Sequence, residues 1–307
     1  MNFIKFRSKR CGLKIAGERF SKSQSAVRRY TRSNAGNVCY FIFISFFAVF
    51  SVLPLIYSVI TSFKPLDELL AFPPRFFVVR PTLNNYLALP KLLSNLTVPL
   101  SRYVFNSVFI CVVSTSALVV ISAMAAFVLA KSRLKGRKAI FLIIQFSLLF
   151  NAYTLAIPQY LIFSKMGIID TYWVYILPFL PSTMGVFLMK QYIESSIPDT
   201  LLEAAKIDGA GYMRSFTKLV FPMIKPVILT LSLFAFRDIW STQPQGTIFS
   251  EQMKILPSVM SQITAGGIAR SGSAMAVTVI MMVPPIIVYF FTQSNVSETM
   301  NSAGIKE

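Results

Sequence analysis

Long apolar runs constrain this chain more than any other feature of its sequence. A helix needs about 20 predominantly apolar residues to cross a bilayer, where no water is present to satisfy the backbone. The sequence contains six runs of roughly that length, at residues 38–63, 102–130, 138–163, 172–190, 226–242 and 273–293. They predict an all-α membrane protein with six transmembrane helices, and an even number of spans places both termini on the same side.

The composition excludes several classes of soluble and catalytic protein. Of the 307 residues, 54% are hydrophobic and only 14% are charged, whereas soluble domains are nearer a quarter charged. The absence of histidine removes His-based catalysis and His metal ligation. Cys11, Cys39 and Cys111 lie far apart, so their spacing predicts neither a zinc site nor a disulfide framework.

The basic residues predict the orientation of the chain in the membrane. Cytoplasmic loops carry an excess of Lys and Arg. With the six runs as spans, one side of the membrane holds 21 of these residues and the other holds nine. The basic side is therefore predicted to be cytoplasmic, and the net charge of +18 becomes mainly an orientation signal. Contact with anionic lipid is an additional possibility, whereas no nucleic-acid-binding pattern accompanies the charge.

The spans and the charge divide the chain into three predicted parts. Residues 1–37 form a basic cytoplasmic tail, residues 38–293 form the transmembrane domain, and residues 294–307 form a cytoplasmic C-terminal tail. Residues 190–225 form a polar cytoplasmic loop within that domain. The extracytoplasmic loops follow as residues 64–101 and 243–272.

Within the spans, two groups of residues stand out. Ser122, Ala126 and Ala130 are spaced four apart, which places small side chains on one helix face and favours close helix packing. Asn151, Tyr153 and Gln159 are polar at membrane depth and are candidates for a substrate pathway. Asn151 and Gln159 are eight residues apart, about two helical turns, so they share a helix face. Such a polar face suits either a hydroxyl-rich ligand or hydrogen bonds between helices.

The polar loop predicts a short helix with a defined start and stop. Pro198 suits a first helical turn, and Thr200 with Glu203 has the spacing of a capping box. Gly209 and Gly211 are predicted to stop or bend the helix, and a second helix is predicted from about Tyr212 to Phe221, ended by proline. A helix this short is marginal in isolation. It therefore needs a docking surface, either in its own bundle or on a partner.

The residues of this loop resemble a known motif. The sequence EAAKIDGA at 203–210, followed by Leu219, Pro222 and Pro226, resembles the EAA loop of ABC importer permeases. The similarity extends across nearly the whole chain. Residues 106–107, 167–173 and 187–191 resemble the maltose-type carbohydrate permeases. Residues 298–306 resemble a subgroup that imports complex or acidic oligosaccharides, including alginate importers. The chain departs from similar permeases at residues 237–241, RDIWS, where a Trp-Asn pair is common.

The resemblance implies a MetI-like fold and a coupling role for the loop. In such importers the EAA loop forms a coupling helix that sits in a cleft of the ATPase subunit. The matching positions here are Glu203, Ala204, Ala205, Asp208 and Gly209. The small alanines permit close seating, and the glycine lets the backbone turn sharply.

The resemblance also implies partners and a location. These are a homologous permease that completes a heterodimer, an ATPase dimer that binds ATP and Mg²⁺, a periplasmic or extracellular solute-binding protein, and an oligosaccharide substrate. The location implied is the bacterial cytoplasmic (inner) membrane. The chain itself lacks a G-x-x-x-x-G-K-[ST] phosphate loop, so no nucleotide cofactor and no enzymatic activity are expected in it.

Three other functions stay open from the residues alone. They are a permease for another solute class, a membrane-embedded enzyme and a secondary transporter. The missing histidines weigh against the enzyme, because catalysis needs convergent acids, bases or metal ligands. The scarcity of carboxylates in the spans weighs against ion or proton coupling in a secondary transporter.

Overall fold

A computed structural model describes residues 34–94, 98–132, 134–150, 152–243 and 246–304. Most of the predicted basic tail at 1–37 lies outside these ranges, as do the last three residues of the predicted C-terminal tail. Regular structure within the described ranges is helical, without strands. The chain divides into two compact units, residues 1–55 and residues 56–307, and everything described below as a site belongs to the second unit.

The helices are numbered here in chain order. They are α1 Asn34–Ser62, α2 Leu66–Leu69, α3 Asn84–Ser94, α4 Leu100–Lys131, α5 Arg137–Ser147, α6 Ala152–Met166, α7 Trp173–Ile176, α8 Thr183–Ser196, α9 Asp199–Ile207, α10 Tyr212–Met223, α11 Lys225–Ser241, α12 Leu256–Thr264 and α13 Ser271–Gly304. Short 3₁₀ turns lie at Leu177–Phe179, Glu251–Met253 and Ile268–Arg270.

Four helical segments of the described residues are long and apolar enough to cross a membrane. They are Gly36–Ser62, Leu100–Lys131, Trp173–Ser196 and Ile268–Gln293. A fifth span results if α10 and α11 are counted together, although the two helices meet at an angle of 77°. These segments correspond to the first, second, fourth, sixth and fifth predicted runs.

The third predicted span is wrong as a single helix. Residues 138–163 form parts of two helices, α5 with 11 residues and α6 with 15. At 1.5 Å per residue these are about 17 and 23 Å long, so neither alone crosses a hydrocarbon core of about 30 Å. The total of six spans therefore stays a prediction.

The break has a local cause in the hydrogen bonding after α5. The amide groups of Leu148, Leu149 and Phe150 each donate to the carbonyl three residues earlier, at 3.1–3.3 Å. The hydroxyl of Ser147 donates to the Ile144 carbonyl at 2.8 Å. Bonds of the i→i−3 type tighten the last turn and commonly end a helix. Hydropathy does not register this change, because Leu148, Leu149 and Phe150 are themselves apolar.

Helix α4 lies at the centre of the bundle and packs against α8 and α11. Its small residues face the interior, with Ser122 and Ala126 fully buried and Ala130 8% exposed. The predicted small-residue face is therefore confirmed. On α8 the facing residue is Gly185, where an added Cβ would lie 2.6 Å from the Ser122 Oγ and 3.1 Å from Leu231 Cδ2. The α8 backbone lies this close to the small Ser122 side chain because Gly185 has no side chain of its own.

The loop between α1 and α4 is held by polar contacts, from the buried Lys64 to the exposed bonds of Glu68. The Lys64 side chain is buried and donates to the Arg75 carbonyl. The Asn85 amide donates to the carbonyls of Ser62 and Lys64, both at 2.8 Å. Glu68 accepts from the Val79 and Arg80 amides at 3.1 and 2.8 Å. Residues 64–94 thus form turns and the two short helices α2 and α3.

The contact at Gly185 generates a stability prediction. Gly185→Ala should lower the free energy of unfolding by about 1–3 kcal/mol, the usual cost of overpacking a tight interface. Thermal unfolding in detergent, followed by circular dichroism, measures it. Gly36→Ala is the matched control, because Gly36 is also helical and an added Cβ there meets nothing within 4 Å.

The same contact offers a rescue. Ser122→Ala removes the Oγ nearest to the added methyl group, so it should restore part of the stability that Gly185→Ala loses. A Gly185→Ala melting temperature equal to that of the Gly36→Ala control would contradict the close approach.

Candidate functional site

The polar loop begins with a corner of two residues between α8 and α9. Ile197 is almost fully buried and has an extended backbone with φ −115° and ψ 108°. Pro198 follows with φ −69° and ψ 146° and occupies the N-cap position of α9. Its ring fixes φ, and the missing N–H costs nothing at a helix start. The first helical residue, Asp199, puts a negative charge in the first turn, where the helix dipole favours it.

The predicted capping box at this helix start is wrong. The N-cap of α9 is Pro198, which has no side-chain acceptor, and no side-chain cap bond is formed. Thr200 and Glu203 are both exposed, inside the helix. Because α9 starts at Asp199, Thr200 lies within the helix rather than at its boundary. Glu203 is thus a mid-helix side chain that faces outward.

The predicted stop at Gly209 is confirmed. The Ala210 amide donates to the Ala205 carbonyl at 2.9 Å, and the Gly209 amide donates to the Lys206 carbonyl at 3.1 Å. These are the two bonds of a Schellman motif, which requires a left-handed residue after the helix. Gly209 supplies it with φ +78°.

The second loop helix extends further than predicted. Helix α10 runs to Met223 rather than ending before Pro222, and it contains a π-helical segment at Phe216–Val220. Proline lacks the N–H that a helix uses, and a wider π turn is one way to rearrange the backbone bonding around it.

The loop presents most of its motif residues to the outside. Glu203, Ala204, Asp208 and Gly209 are exposed, whereas Ala205 is only 8% exposed and faces its own chain. An added Cβ at Gly209 would meet no atom within 4 Å. No other part of the described chain therefore packs against Gly209 where its side chain would be.

A cavity of about 810 Å³ lies beside this loop, between α9, α10, the end of α4 and the start of α5. Its wall combines apolar residues of α4, α9 and α10 with both signs of charge. The charged lining residues are Lys131, Arg137, Lys206, Glu194, Asp199 and Glu203.

Two lysines on the inner side of the loop have well-defined partners. The Lys131 Nζ donates to the Ile197 carbonyl and to Asp199 Oδ1, both at 2.6 Å, and its side chain is 7% exposed. The Lys190 Nζ contacts Glu194 at 2.8 Å and lies 3.9 Å from the centroid of the Phe141 ring. Sequence reasoning counted both lysines only toward orientation. Nothing in the sequence indicated a partner for Lys131, because residues 131–138, the loop that contains it, include no acidic residue.

The opposite end of α4 is held by a second polar cluster. The Asn106 amide nitrogen donates to the Gln252 and Lys254 carbonyls at 2.8 and 3.0 Å, and its oxygen accepts from the Tyr172 hydroxyl at 2.9 Å. The Ser107 hydroxyl accepts from the Leu256 amide at 2.8 Å. These buried residues join α4 to the loop before α12.

The motif at 167–173 contributes to the same cluster through Asp170. This residue has φ +60° and accepts at Oδ1 from the Phe249 and Ser250 amides at 3.0 and 2.9 Å. Its own amide donates to the Thr247 carbonyl at 3.0 Å. Asp is among the few residues that tolerate a left-handed backbone. The motif thus works as a clamp for the loop at 246–256.

The divergent residues at 237–241 split between surface and interior. Arg237 and Asp238 are exposed. Trp240 is buried, stacks on Phe236, and donates from Nε1 to the Met281 carbonyl at 3.0 Å. The tryptophan therefore joins α11 to α13.

The three pathway candidates, Asn151, Tyr153 and Gln159, stay a prediction, because the structure describes the side chain of Gln159 alone among them. Asn151 lies outside the described residues, and the side chain of Tyr153 does too. Helix α6 begins at Ala152, so the shared face of Asn151 and Gln159 stays a prediction. Gln159 is half-buried within α6. Among the described residues, no group of three or more His, Cys, Asp or Glu could hold a metal ion.

Comparison with known proteins bears on the whole of this arrangement. Residues 118–302 match the family described as binding-protein-dependent transport system inner membrane component. The polygalacturonan/rhamnogalacturonan transport system permease protein YtcP of Bacillus subtilis (strain 168) is 28% identical, over 82% of this chain and 92% of that protein. The sulfoquinovosyl glycerol transport system permease protein SmoH of Agrobacterium fabrum is 30% identical, over 89% and 95%.

A solved structure shares the fold. It is the crystal structure of a bacterial ABC transporter involved in the import of the acidic polysaccharide alginate. It matches with a TM-score of 0.70 and 23% identity, over 86% of this chain and 98% of that chain. At that identity the likeness establishes the fold, which is the predicted MetI-like one.

The turn after α9 generates a prediction that separates two neighbouring glycines. Gly209→Ala should weaken the turn by about 1–2 kcal/mol, because an L-residue pays that cost in the left-handed region. The amides of Gly209 and Ala210 should then exchange hydrogen about tenfold faster or more. Hydrogen–deuterium exchange of the peptide containing residues 205–210 measures this.

Gly211→Ala is the matched control. Gly211 has φ −71°, and an added Cβ there also meets nothing within 4 Å. Only backbone conformation distinguishes the two sites, so equal exchange in both variants would contradict the assigned role of Gly209.

Proposed function

The chain belongs to the family of binding-protein-dependent transport system inner membrane components, and from this premise we propose that it forms half of an oligosaccharide translocation pathway. It is the membrane-embedded, non-catalytic permease subunit of an ABC importer. Importers of this family work with an ATPase and with a solute-binding protein. Family membership sets aside the membrane-embedded enzyme and the secondary transporter.

Helix α9 and the turn after it are the proposed contact with the ATPase. The observation that carries this proposal is the outward face formed by Glu203, Ala204, Asp208 and Gly209, beside which the chain leaves open space. A short helix with small residues and a bare turn suits insertion into a groove of a partner. Ala205 supports the site from the inner side, where it packs against its own chain.

Glu203 is the exposed carboxylate in the middle of α9, and its charge gives it a role in this contact that the alanines lack. The residue sits in the middle of α9 and lines the cavity, so the helix dipole contributes little to it. An exposed carboxylate at this position is available to a cation of the partner, and such pairs act more on specificity and association rate than on raw affinity.

The proposed assembly contains a second, homologous permease and an ATPase dimer that binds ATP and Mg²⁺. The excess of Lys and Arg on one side supports cytoplasmic termini and a cytoplasmic position for α9. With that orientation, the loop at 246–256 faces the solute-binding protein. The proposed location is the bacterial cytoplasmic membrane.

The proposed cargo is an oligosaccharide that carries acidic groups. Two relatives are named for cargo that carries acidic groups. YtcP is named for polygalacturonan/rhamnogalacturonan, and SmoH is named for sulfoquinovosyl glycerol. Other relatives are described by neutral sugars, such as melibiose, raffinose and stachyose. The resemblance of residues 298–306 to the acidic subgroup favours the first class for this chain.

A bulky substitution tests the docking face. Ala204→Trp should reduce retention of the ATPase about tenfold or more, equivalent to at least about 1.4 kcal/mol, because an indole ring cannot enter a seat shaped for a methyl group. Co-purification of the ATPase with the tagged permease measures it. Ala265→Trp is the control, since Ala265 is also exposed but lies in the loop predicted on the opposite side. Full ATPase retention in Ala204→Trp would contradict docking at α9.

Cargo class is tested on the assembled importer with its solute-binding protein. An oligogalacturonide should stimulate ATP hydrolysis, whereas a neutral galacto-oligosaccharide of equal length should not. A site built to bind carboxylates leaves its own polar groups unpaired when the sugar lacks them. Stimulation by the neutral sugar alone would contradict the acidic cargo and leave the permease assignment unaffected.

A further inference from the structure

The connection between α8 and α9 has the length and position of a hinge. Only Ile197 and Pro198 separate the two helices. Ile197 is anchored in the core with 1% exposure, whereas Asp199, on the far side of Pro198, has a side chain that is 78% exposed. Hinges in proteins are commonly a few residues at the ends of elements. Any freedom at Ile197 and Pro198 would let α9 swing relative to the bundle.

Lys131 bridges this hinge. Its Nζ donates to the Ile197 carbonyl, before the proline, and to Asp199 Oδ1, after it, both at 2.6 Å. The Asp199 contact is the one of the two that crosses the hinge. Because Lys131 is the last residue of α4, this contact attaches the first turn of α9 to the central helix of the bundle.

The burial of Lys131 makes it costly to separate its ammonium group from either acceptor. Its side chain is only 7% exposed, so moving the ammonium away from its acceptors would leave a largely buried charge without its partners. The backbone carbonyl of Ile197 belongs to the core and cannot follow a movement of α9 on its own. The two acceptors therefore hold the ammonium between a fixed point and a movable one.

We propose that Lys131 is a positioning residue that braces the hinge at Pro198, so that α9 and α4 move as one body. The proposal rests on the coupling role proposed above for α9. A movement imposed on α9 by the ATPase then reaches α4. The other end of α4 holds the loop at 246–256 through Asn106 and Ser107. At 1.5 Å per residue, Asn106 lies about 38 Å from Lys131 along the helix. Without the brace, α9 absorbs the movement by rotating at the hinge.

The test measures the rigidity of the hinge in the complex of the permease with its ATPase. The three native cysteines are replaced by alanine, and spin labels are attached at Gln191→Cys on α8 and Lys206→Cys on α9, both exposed positions. Lys206 lines the cavity beside α9 and is not part of the proposed docking face. Pulsed electron paramagnetic resonance gives the distance distribution between them, with ATP·Mg²⁺ trapped by vanadate. The wild-type background should give a narrow distribution.

Two variants should broaden that distribution. Lys131→Met removes both contacts, and Asp199→Ala removes the one that crosses the hinge. Asp199→Ala changes an exposed side chain, so it keeps the test valid if Lys131→Met fails to assemble. Lys131→Arg, which keeps the cation, should stay narrower than Lys131→Met. Lys135→Met is the matched control, because Lys135 is an exposed lysine of the same basic loop.

The outcomes distinguish the brace from the coupling role. Both broadening variants should keep the ATPase bound, because Glu203 and Ala204 are unchanged. A distribution as narrow as wild type in Asp199→Ala or Lys131→Met, with the ATPase retained, would overturn the brace alone. Equal broadening in Lys135→Met would overturn it too, since it would show a general effect of charge. Full ATPase retention in Ala204→Trp, with Asp199→Ala still broadened, would instead count against the coupling role and leave the brace intact.

Discussion

The close approach of α4 and α8 is the contact on which the rest of the bundle depends. In a membrane, lipid tails are as apolar as leucine, so helices associate through packing and hydrogen bonds rather than through the hydrophobic effect. Gly185 opposite Ser122 permits that packing, because an added methyl group would lie 2.6 Å from the serine oxygen. The small residues of α4 thereby place its two polar ends at fixed positions relative to α8.

Those two ends connect the bundle to the loop before α12 and to the corner between α8 and α9. At one end, Asn106 and Ser107 bind the backbone of the loop before α12. At the other end, Lys131 binds both sides of the corner that leads into α9. For a permease whose energy comes from a separate ATPase, a rigid helix with a defined attachment at each end is a means of passing a movement across the membrane. The apolar middle of α4 then contributes stiffness and packing.

Much of this architecture was predictable from particular residues. Apolar runs located α1, α4 and α13, the four-residue spacing of Ser122, Ala126 and Ala130 identified a packing face, and Gly209 marked the end of α9. The break after Ser147 and the lack of a side-chain cap at the start of α9 were not predicted. Both depend on which carbonyl or side chain accepts a given hydrogen bond, and that choice is invisible to hydropathy and to motif spacing.

By itself, the sequence determined that the chain is a helical membrane protein, that it has no phosphate loop, and that residues 203–210 are its polar motif. Those properties depend on composition and local order, which a linear pattern carries completely. Only the tertiary structure decided that Ala205 faces inward while Ala204 faces outward, and that Lys131 and Asp199, 68 positions apart, form one contact. A buried ammonium must find its acceptors wherever the fold brings them, and sequence distance does not limit where that is.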